Sequence, residues 1–135
     1  MNKSFWIGYV AVFVVAQTMN FVIHEILLSS TYQSLASVFR PEQEMMSMMW
    51  IMFLSGAFAL FLFCYIFTKG YENRGIGEGI RYGVLIGLFV SVPYAIDQYV
   101  VYPLTPYVTT MWILSGVLTF AVVGAVFSAI YRPSV

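Results

Sequence analysis

Four long runs of apolar residues constrain this chain more than any other feature of its sequence. A helix needs about 20 residues, at about 1.5 Å each, to cross a hydrocarbon layer of about 30 Å, and each run meets that length. Backbone polar groups inside lipid must be satisfied within the span, which favours helices. We therefore predict an all-α, four-helix transmembrane bundle. Its spans are Phe5 to Leu28, Met45 to Phe67, Tyr82 to Tyr102 and Tyr107 to Tyr131.

The composition agrees with a membrane protein and narrows the possible functions. Hydrophobic residues make up 61% and charged residues 9% of the 135 residues, whereas soluble domains average roughly 45–50% and about 25%. The formal net charge is zero, which argues against nucleic acid as a partner because phosphate binding needs a basic face. Cys64 is the only cysteine, so an internal disulfide and a cysteine-based zinc site are excluded. The links between the runs are short, which predicts a single transmembrane domain over residues 1–135.

The basic residues predict how the spans are oriented. Cytoplasmic loops of membrane proteins carry an excess of Lys and Arg. With the N-terminus inside, only Arg40 lies on the outer side, which predicts an up-down-up-down bundle with both ends in the cytoplasm. The basic residues on the inner side are Lys3, Lys69, Arg74, Arg81 and Arg132.

The third run carries a small residue at every fourth position, a pattern that we call the small-residue seam. Helices in lipid associate through close approach of their backbones, so the seam predicts a tightly packed neighbour. The short hairpin at residues 103–106 favours the fourth run as that neighbour, and a second copy of the chain is the alternative. Pro93, within the same run, predicts a bend or local unwinding. The seam residues are Gly79, Gly83, Gly87, Ser91 and Ala95.

Polar residues collect near the outer ends of the first and third runs. An ionisable side chain in a span costs about 2.5–3.5 kcal/mol near the bilayer centre and marks a candidate functional site. This cluster fits a proton-linked or cation-binding site. It also fits groups that hydrogen-bond one another and pin the mouth of the bundle, and we favour the latter because most buried polar groups are simply satisfied. The cluster comprises Gln17, Asn20, His24, Glu25, Asp97 and Gln98.

Methionines crowd the beginning of the second run. Thioethers are soft ligands suited to Cu(I), and a nearby histidine would complete a copper site. The same methionines continue into Gly56, Ala59 and Phe63 at helical spacing, as an ordinary or adaptable packing face does, and we favour this interpretation. The hypothetical copper ligands are Met45, Met48, Met49, Met52 and His24.

The two longer links support local predictions only. The spacing of apolar residues between Tyr32 and Phe39 predicts a short helix on the membrane surface that ends before Pro41. Glu78 follows one arginine by four residues and precedes another by three. This spacing predicts local ion pairs between Glu78 and both arginines.

The stretch FTKGYENRGIGEGIRYGVLIGLFVSVPYAIDQYVVYPL, from Phe67 to Leu104, resembles a group of uncharacterised small bacterial four-span membrane proteins. The resemblance extends to the last span, which ends in Ala129 to Pro133. It implies a setting in the bacterial cytoplasmic (inner) membrane. It implies no reaction, cofactor or catalytic residue.

These patterns together favour a non-enzymatic function. The sequence contains no HExxH, nucleophile-elbow or nucleotide motif, and one histidine cannot ligate a haem twice. We expect a small membrane subunit, surrounded by lipid, that packs against itself or other membrane proteins. The alternative is an ion- or proton-linked transporter, or a copper-handling protein, that uses the polar cluster and the methionines. A small enzyme with Asp97 and Glu25 as paired carboxylates is the least favoured hypothesis.

Overall fold

Helices make up nearly all of the computed structural model, which describes residues 1–133. Those residues contain no β-strand. Four helices, counting α1 with its π-helical continuation as one, pack together and are long and apolar enough to cross a membrane, which indicates a multi-pass membrane protein. The predicted all-α class and four apolar helices are confirmed. The elements are α1 (Lys3–Asn20), a π-helical stretch (Phe21–Leu27), α2 (Ser29–Ser34), α3 (Glu42–Lys69), α4 (Ile76–Val101) and α5 (Pro106–Ile130).

Local chemistry sets where the long helices begin. Asn2 and Thr105 cap α1 and α5, each with a side-chain oxygen that accepts a backbone N–H of the first turn, at 3.0 and 3.3 Å. Helix α3 starts directly after Pro41 with two glutamates in its first turn, where the helix dipole favours negative charge. Gly75 precedes α4 with a φ of +75°, a conformation that suits glycine. Helices α3 and α4 therefore begin three and six residues before their predicted apolar runs.

Helix α4 packs against α5 through the small-residue seam, all of whose members are buried. A Cβ added at Gly83 would overlap the backbone oxygen of Phe120, and one at Gly87 would lie 2.8 Å from the Cα of Val117. Only residues without a bulky side chain let two backbones approach so closely. The seam therefore brings the backbones of α4 and α5 into direct contact.

The contacts along the seam run in opposite directions on the two helices. Gly79 lies against Gly124, whereas Ser91, about three turns further along α4, lies against Gly116. Residues 102–105 link the two helices directly. Helices α4 and α5 therefore form an antiparallel hairpin, and the seam is occupied within the chain by α5.

The best-packed part of the core lies where residues 4 and 132 meet, which we call the terminal end of the bundle. The rings of Phe5 and Phe127 are fully buried and edge-on, with centroids 5.8 Å apart, and Phe67 adds a second edge-on contact to Phe127 at 5.6 Å. The N–H of Arg132 donates to Oγ of Ser4 at 3.0 Å, which joins α1 to the end of α5. We call the opposite end, at residues 28–41 and 102–105, the distal end.

Helix α3 belongs to this core through its C-terminal half only. The hydroxyl of Tyr9 donates to the carbonyl of Ala57 at 3.0 Å, which ties α1 to the middle of α3. Every residue from 40 to 55 is exposed, so within residues 1–133 no other element covers the N-terminal half of α3. The buried residues of α3 are Leu60, Phe63, Cys64 and Phe67.

Two local predictions differ in part from the structure. Helix α4 remains α-helical through Pro93, so the chain does not unwind there, and the alternative, a bend, stays a prediction. Ser91 and Ala95 on either side of the proline are both buried. The predicted short helix before Pro41 is present, but it lies earlier in the chain, at Ser29–Ser34, directly after the π-helical stretch.

We expect Gly83→Ala to lower the free energy of unfolding by about 1–3 kcal/mol, because the new methyl group forces α4 and α5 apart. Gly77→Ala is the matched control, since nothing lies within 4 Å of a Cβ at that position. Alanine also has the higher helix propensity, so the control is expected to be neutral or stabilising. Unfolding in mixed detergent micelles, followed by circular dichroism, measures both; equal stabilities of the two variants would contradict the seam contact.

Candidate functional site

The π-helical stretch at the distal end marks the candidate site. The N–H of Leu28 donates to the carbonyl of Ile23, five residues earlier, at 2.9 Å, as in a π-helix. Such wide turns are rare within α-helical segments and are frequent at functional sites. The stretch contains His24 and Glu25. The surroundings of His24 are therefore the candidate functional site.

A hydrogen-bond network joins three elements at this end. Nδ1 of His24 lies 2.6 Å from the hydroxyl oxygen of Tyr32 in α2, and Nε1 of Trp112 in α5 donates to the same oxygen at 2.8 Å. His24 itself is half-buried. The hydroxyl of Tyr32 thus ties α2 to both the first span and α5, and we call these three side chains the tyrosine network.

The chemistry of the indole assigns one donor in the tyrosine network. An indole N–H can only donate, so the oxygen of Tyr32 accepts from Trp112. The hydroxyl also forms a hydrogen bond with Nδ1 of His24, and the tautomer of the imidazole determines which of the two groups donates.

Burial controls the acidity of Tyr32. Desolvation disfavours the phenolate and raises the pKa above its ordinary value of 10. The hydrogen bond from Trp112 opposes this rise, and the charge of Glu25 adds to it. Because the raised pKa belongs to the folded state, the stability it contributes is fully present below about pH 10 and is lost as the pH rises through the raised value. Tyr32 is therefore a neutral hydrogen-bonding group at physiological pH.

Aromatic rings surround the tyrosine network. The rings of His24 and Tyr32 are nearly parallel, 10° apart, with centroids separated by 5.9 Å. Phe39 meets Tyr32 edge-on at 5.6 Å, and Tyr94 of α4 stacks on Trp112 at 6.2 Å. These contacts extend the network to α4, so all the elements at the distal end except α3 contribute to it.

The predicted polar cluster does not form a single face. The side-chain nitrogen of Gln17 would lie 3.7 Å from a Cβ on Gly56, so Gln17 faces α3, whereas His24 faces α2 and α5. The π-helical turns that begin after Asn20 are wider than α-helical turns, so the residues that follow point in directions different from those of a continuous α-helix.

Within residues 1–133, no hydrogen bond joins the remaining members of the predicted cluster to the tyrosine network. Asn20, Glu25 and Asp97 are exposed and Gln98 is half-buried. Within residues 1–133, no three His, Cys, Asp or Glu side chains are placed so that they could hold a metal ion. His24, Glu25 and Asp97 therefore do not assemble into a cation site in this structure.

The methionines of α3 form a separate surface. A shallow cavity of about 210 Å³ lies along this helix, and His24 is not among the residues that line it. Met49, also exposed, lies outside the lining. His24 and the methionines of the hypothetical copper site therefore do not line one common cavity. The lining residues are Arg40, Met45, Met48, Ile51 and Met52.

Sequence reasoning missed Tyr32, Trp112 and Tyr94 as site residues. Tyr32 was counted only as an apolar residue of a surface helix, and eighty positions separate it from Trp112. The one available signal was its location, because a tyrosine in the short link that follows an intramembrane histidine is close enough along the chain to reach back to it.

No family model matches the chain, and no curated protein or solved structure matches it. The resemblance of residues 67–104 to small four-span membrane proteins stays a prediction. At the distal end, the tyrosine network is the arrangement with an identifiable chemical role. Its hydrogen bonds can hold α2 against the bundle.

We expect Tyr32→Phe to loosen α2, because Trp112 and His24 lose a shared partner at a cost of about 1–2 kcal/mol. Amide hydrogen exchange in residues 28–41 should become about tenfold faster, the factor that corresponds to about 1.4 kcal/mol. Tyr99→Phe is the control, since Tyr99 is exposed and its hydroxyl has no hydrogen bond within the described residues. The same exchange rate in both variants would show that the network does not hold α2.

Proposed function

We propose that this protein is a small, non-enzymatic integral membrane subunit that packs against other membrane helices. The observation that carries the proposal is the N-terminal half of α3, which is exposed on every side from residue 40 to residue 55. By contrast, α1 and α4 bury residues at regular intervals along most of their lengths, and α5 buries residues toward both of its ends. A half-helix without a neighbour among residues 1–133 is available to a helix from another chain.

The side chains of this half-helix suit an interaction surface. Methionine is flexible and polarizable, and it is common on surfaces that adapt to different partners. Trp50 and Phe53 add large aromatic faces, 61% and 47% exposed, of the kind that often dominates binding energy. Each methionine exposes more than a third of its surface. They are Met45, Met46, Met48, Met49 and Met52.

The division of the chain between long helices and short links also supports an assembly function. Most of the residues between 3 and 130 lie in the four long helices, and the links at residues 70–75 and 102–105 are short. Most of the surface of these helices therefore lies at the depth where other membrane helices pack. Because helices in lipid associate by close packing, that surface is the part of this protein best suited to binding a partner.

We further propose an up-down-up-down arrangement in a bacterial inner membrane, with the terminal end in the cytoplasm. Lys69, Arg74, Arg81 and Arg132 lie toward the terminal end, whereas Arg40 lies at the distal end. The excess of positive charge on cytoplasmic segments favours this orientation. The exposed half of α3 then lies in the outer leaflet.

The test is photo-crosslinking in intact cells from a diazirine amino acid at residue 50 or residue 118. Trp50 lies in the exposed half of α3, and Leu118 of α5 is the matched control, with 61% and 56% of their surfaces exposed. We expect a discrete protein adduct from residue 50 and only lipid adducts from residue 118. Mass spectrometry of the adduct separates a second copy from a different chain.

Lipid adducts alone at both positions would contradict the subunit proposal. The alternative, proton-linked transport, predicts a different result. It requires a proton flux into vesicles that contain the purified protein, and the flux must be lost in Asp97→Asn.

A further inference from the structure

A cavity of about 470 Å³ opens at the terminal end, between the last turn of α3 and the first turns of α4. Its lining combines apolar residues from the spans with charged residues from the helix ends. The site is separate from the tyrosine network and from the exposed half of α3. The lining residues that matter here are Ile66, Phe67, Lys69, Glu78, Arg81 and Leu85.

The inner part of the cavity is apolar. Tyr82 forms part of the wall, and its hydroxyl already donates to the carbonyl of Phe63 at 2.7 Å. The ring of Tyr82 packs on Phe67, with centroids 5.3 Å apart. Ile66 and Leu85, both in candidate membrane spans, add aliphatic surface. A ligand in this cavity therefore meets hydrocarbon on the membrane side.

The one carboxylate in the lining is already engaged. Glu78 is only 7% exposed, and its two oxygens accept the backbone N–H groups of Glu72 and Arg74, at 2.7 and 2.8 Å. The predicted ion pairs of Glu78 with its flanking arginines were therefore wrong. The 70–75 turn folds back over the first turn of α4 and supplies closer partners, and the arginines pair with Glu72 instead.

Two cations at the mouth of the cavity are weakly engaged. Within residues 1–133 Lys69 forms no ion pair, and its ammonium group lies 4.7 Å from the ring centre of Tyr65. Arg81 lies 3.8 Å from the carboxylate of Glu72, which is held more closely by Arg74 at 2.8 Å. Exposed ion pairs of this kind contribute little. Both cations can therefore exchange these weak contacts for an anion at the mouth.

We propose that this cavity binds an anionic phospholipid, with its phosphate between Lys69 and Arg81 and an acyl chain along Ile66 and Leu85. A guanidinium group can donate two hydrogen bonds to a phosphate, and an ammonium group adds a point charge. Basic pockets between spans at the membrane surface recognise anionic headgroups in this way. The apolar wall that runs into the span selects a lipid over free phosphate. The inference does not depend on the proposed subunit function.

The test compares lipid binding to the purified full-length protein in detergent, measured by native mass spectrometry with phosphatidylglycerol and phosphatidylcholine. We expect a preference for phosphatidylglycerol that falls at least tenfold in the double variant Lys69→Gln, Arg81→Gln. The matched control, Lys3→Gln with Arg40→Gln, removes the same charge outside the cavity and should keep the preference. Both pairs are exposed at the protein surface, so folding should be retained, which circular dichroism checks.

A third variant separates a lipid from free phosphate. Leu85→Trp fills the apolar wall without changing charge, and we expect it to weaken phosphatidylglycerol binding while the cations remain. An equal loss of preference in both charge variants would show that only net charge matters and would overturn the site. Inorganic phosphate that displaces the lipid at equal concentration, together with unchanged lipid binding in Leu85→Trp, would overturn the lipid assignment.

Discussion

The backbone contact between α4 and α5 is the interaction on which the other helices depend. In lipid there is little hydrophobic drive to bring helices together. Glycines that let two backbones approach closely therefore contribute most to helix association. Once paired, α5 offers Phe127 to Phe5 of α1, and α1 in turn holds the middle of α3 through Tyr9. Helix α3 also contacts α5 directly, through Phe67 on Phe127, but only its C-terminal half packs in this way. Within residues 1–133 its N-terminal half is left without a neighbour.

Different interactions stabilise the two ends of the bundle. At the terminal end, interlocking rings around Phe127 form a continuous core, with Tyr131 stacked on Phe127 at 5.4 Å. At the distal end, the hydroxyl of Tyr32 and the buried side chain of Leu28 join the link between the first and second spans to the bundle. Local opening costs less where fewer apolar contacts must be broken. The end at which α3 leaves the bundle is therefore also the end that adjusts more easily to a partner.

The sequence predicted what depends on local pattern. Apolar length gave the four long helices, and the four-residue spacing from Gly79 to Ala95 identified the face of α4 that meets α5. It could not predict the tyrosine network, because apolar periodicity does not encode a π-helical turn and Trp112 is remote in the chain. The charge spacing predicted the wrong partners for Glu78, because the backbone N–H groups of a folded turn compete with arginine side chains. That competition cannot be read from residue types.

Shielding of α3 from lipid in its native membrane tests the central claim most directly. A lipid-soluble carbene reagent can label the stretch from Met45 to Met52 in native membranes and in vesicles that contain the purified protein alone, with α5 near Leu118 as an internal reference. The account predicts strong labelling near Leu118 in both settings and weak labelling of α3 in native membranes. In vesicles, α3 becomes strongly labelled when the partner is a different chain and stays weakly labelled when it is a second copy. Labelling of α3 as strong as that near Leu118 in both settings would contradict the account, because lipid alone would then cover the exposed half-helix.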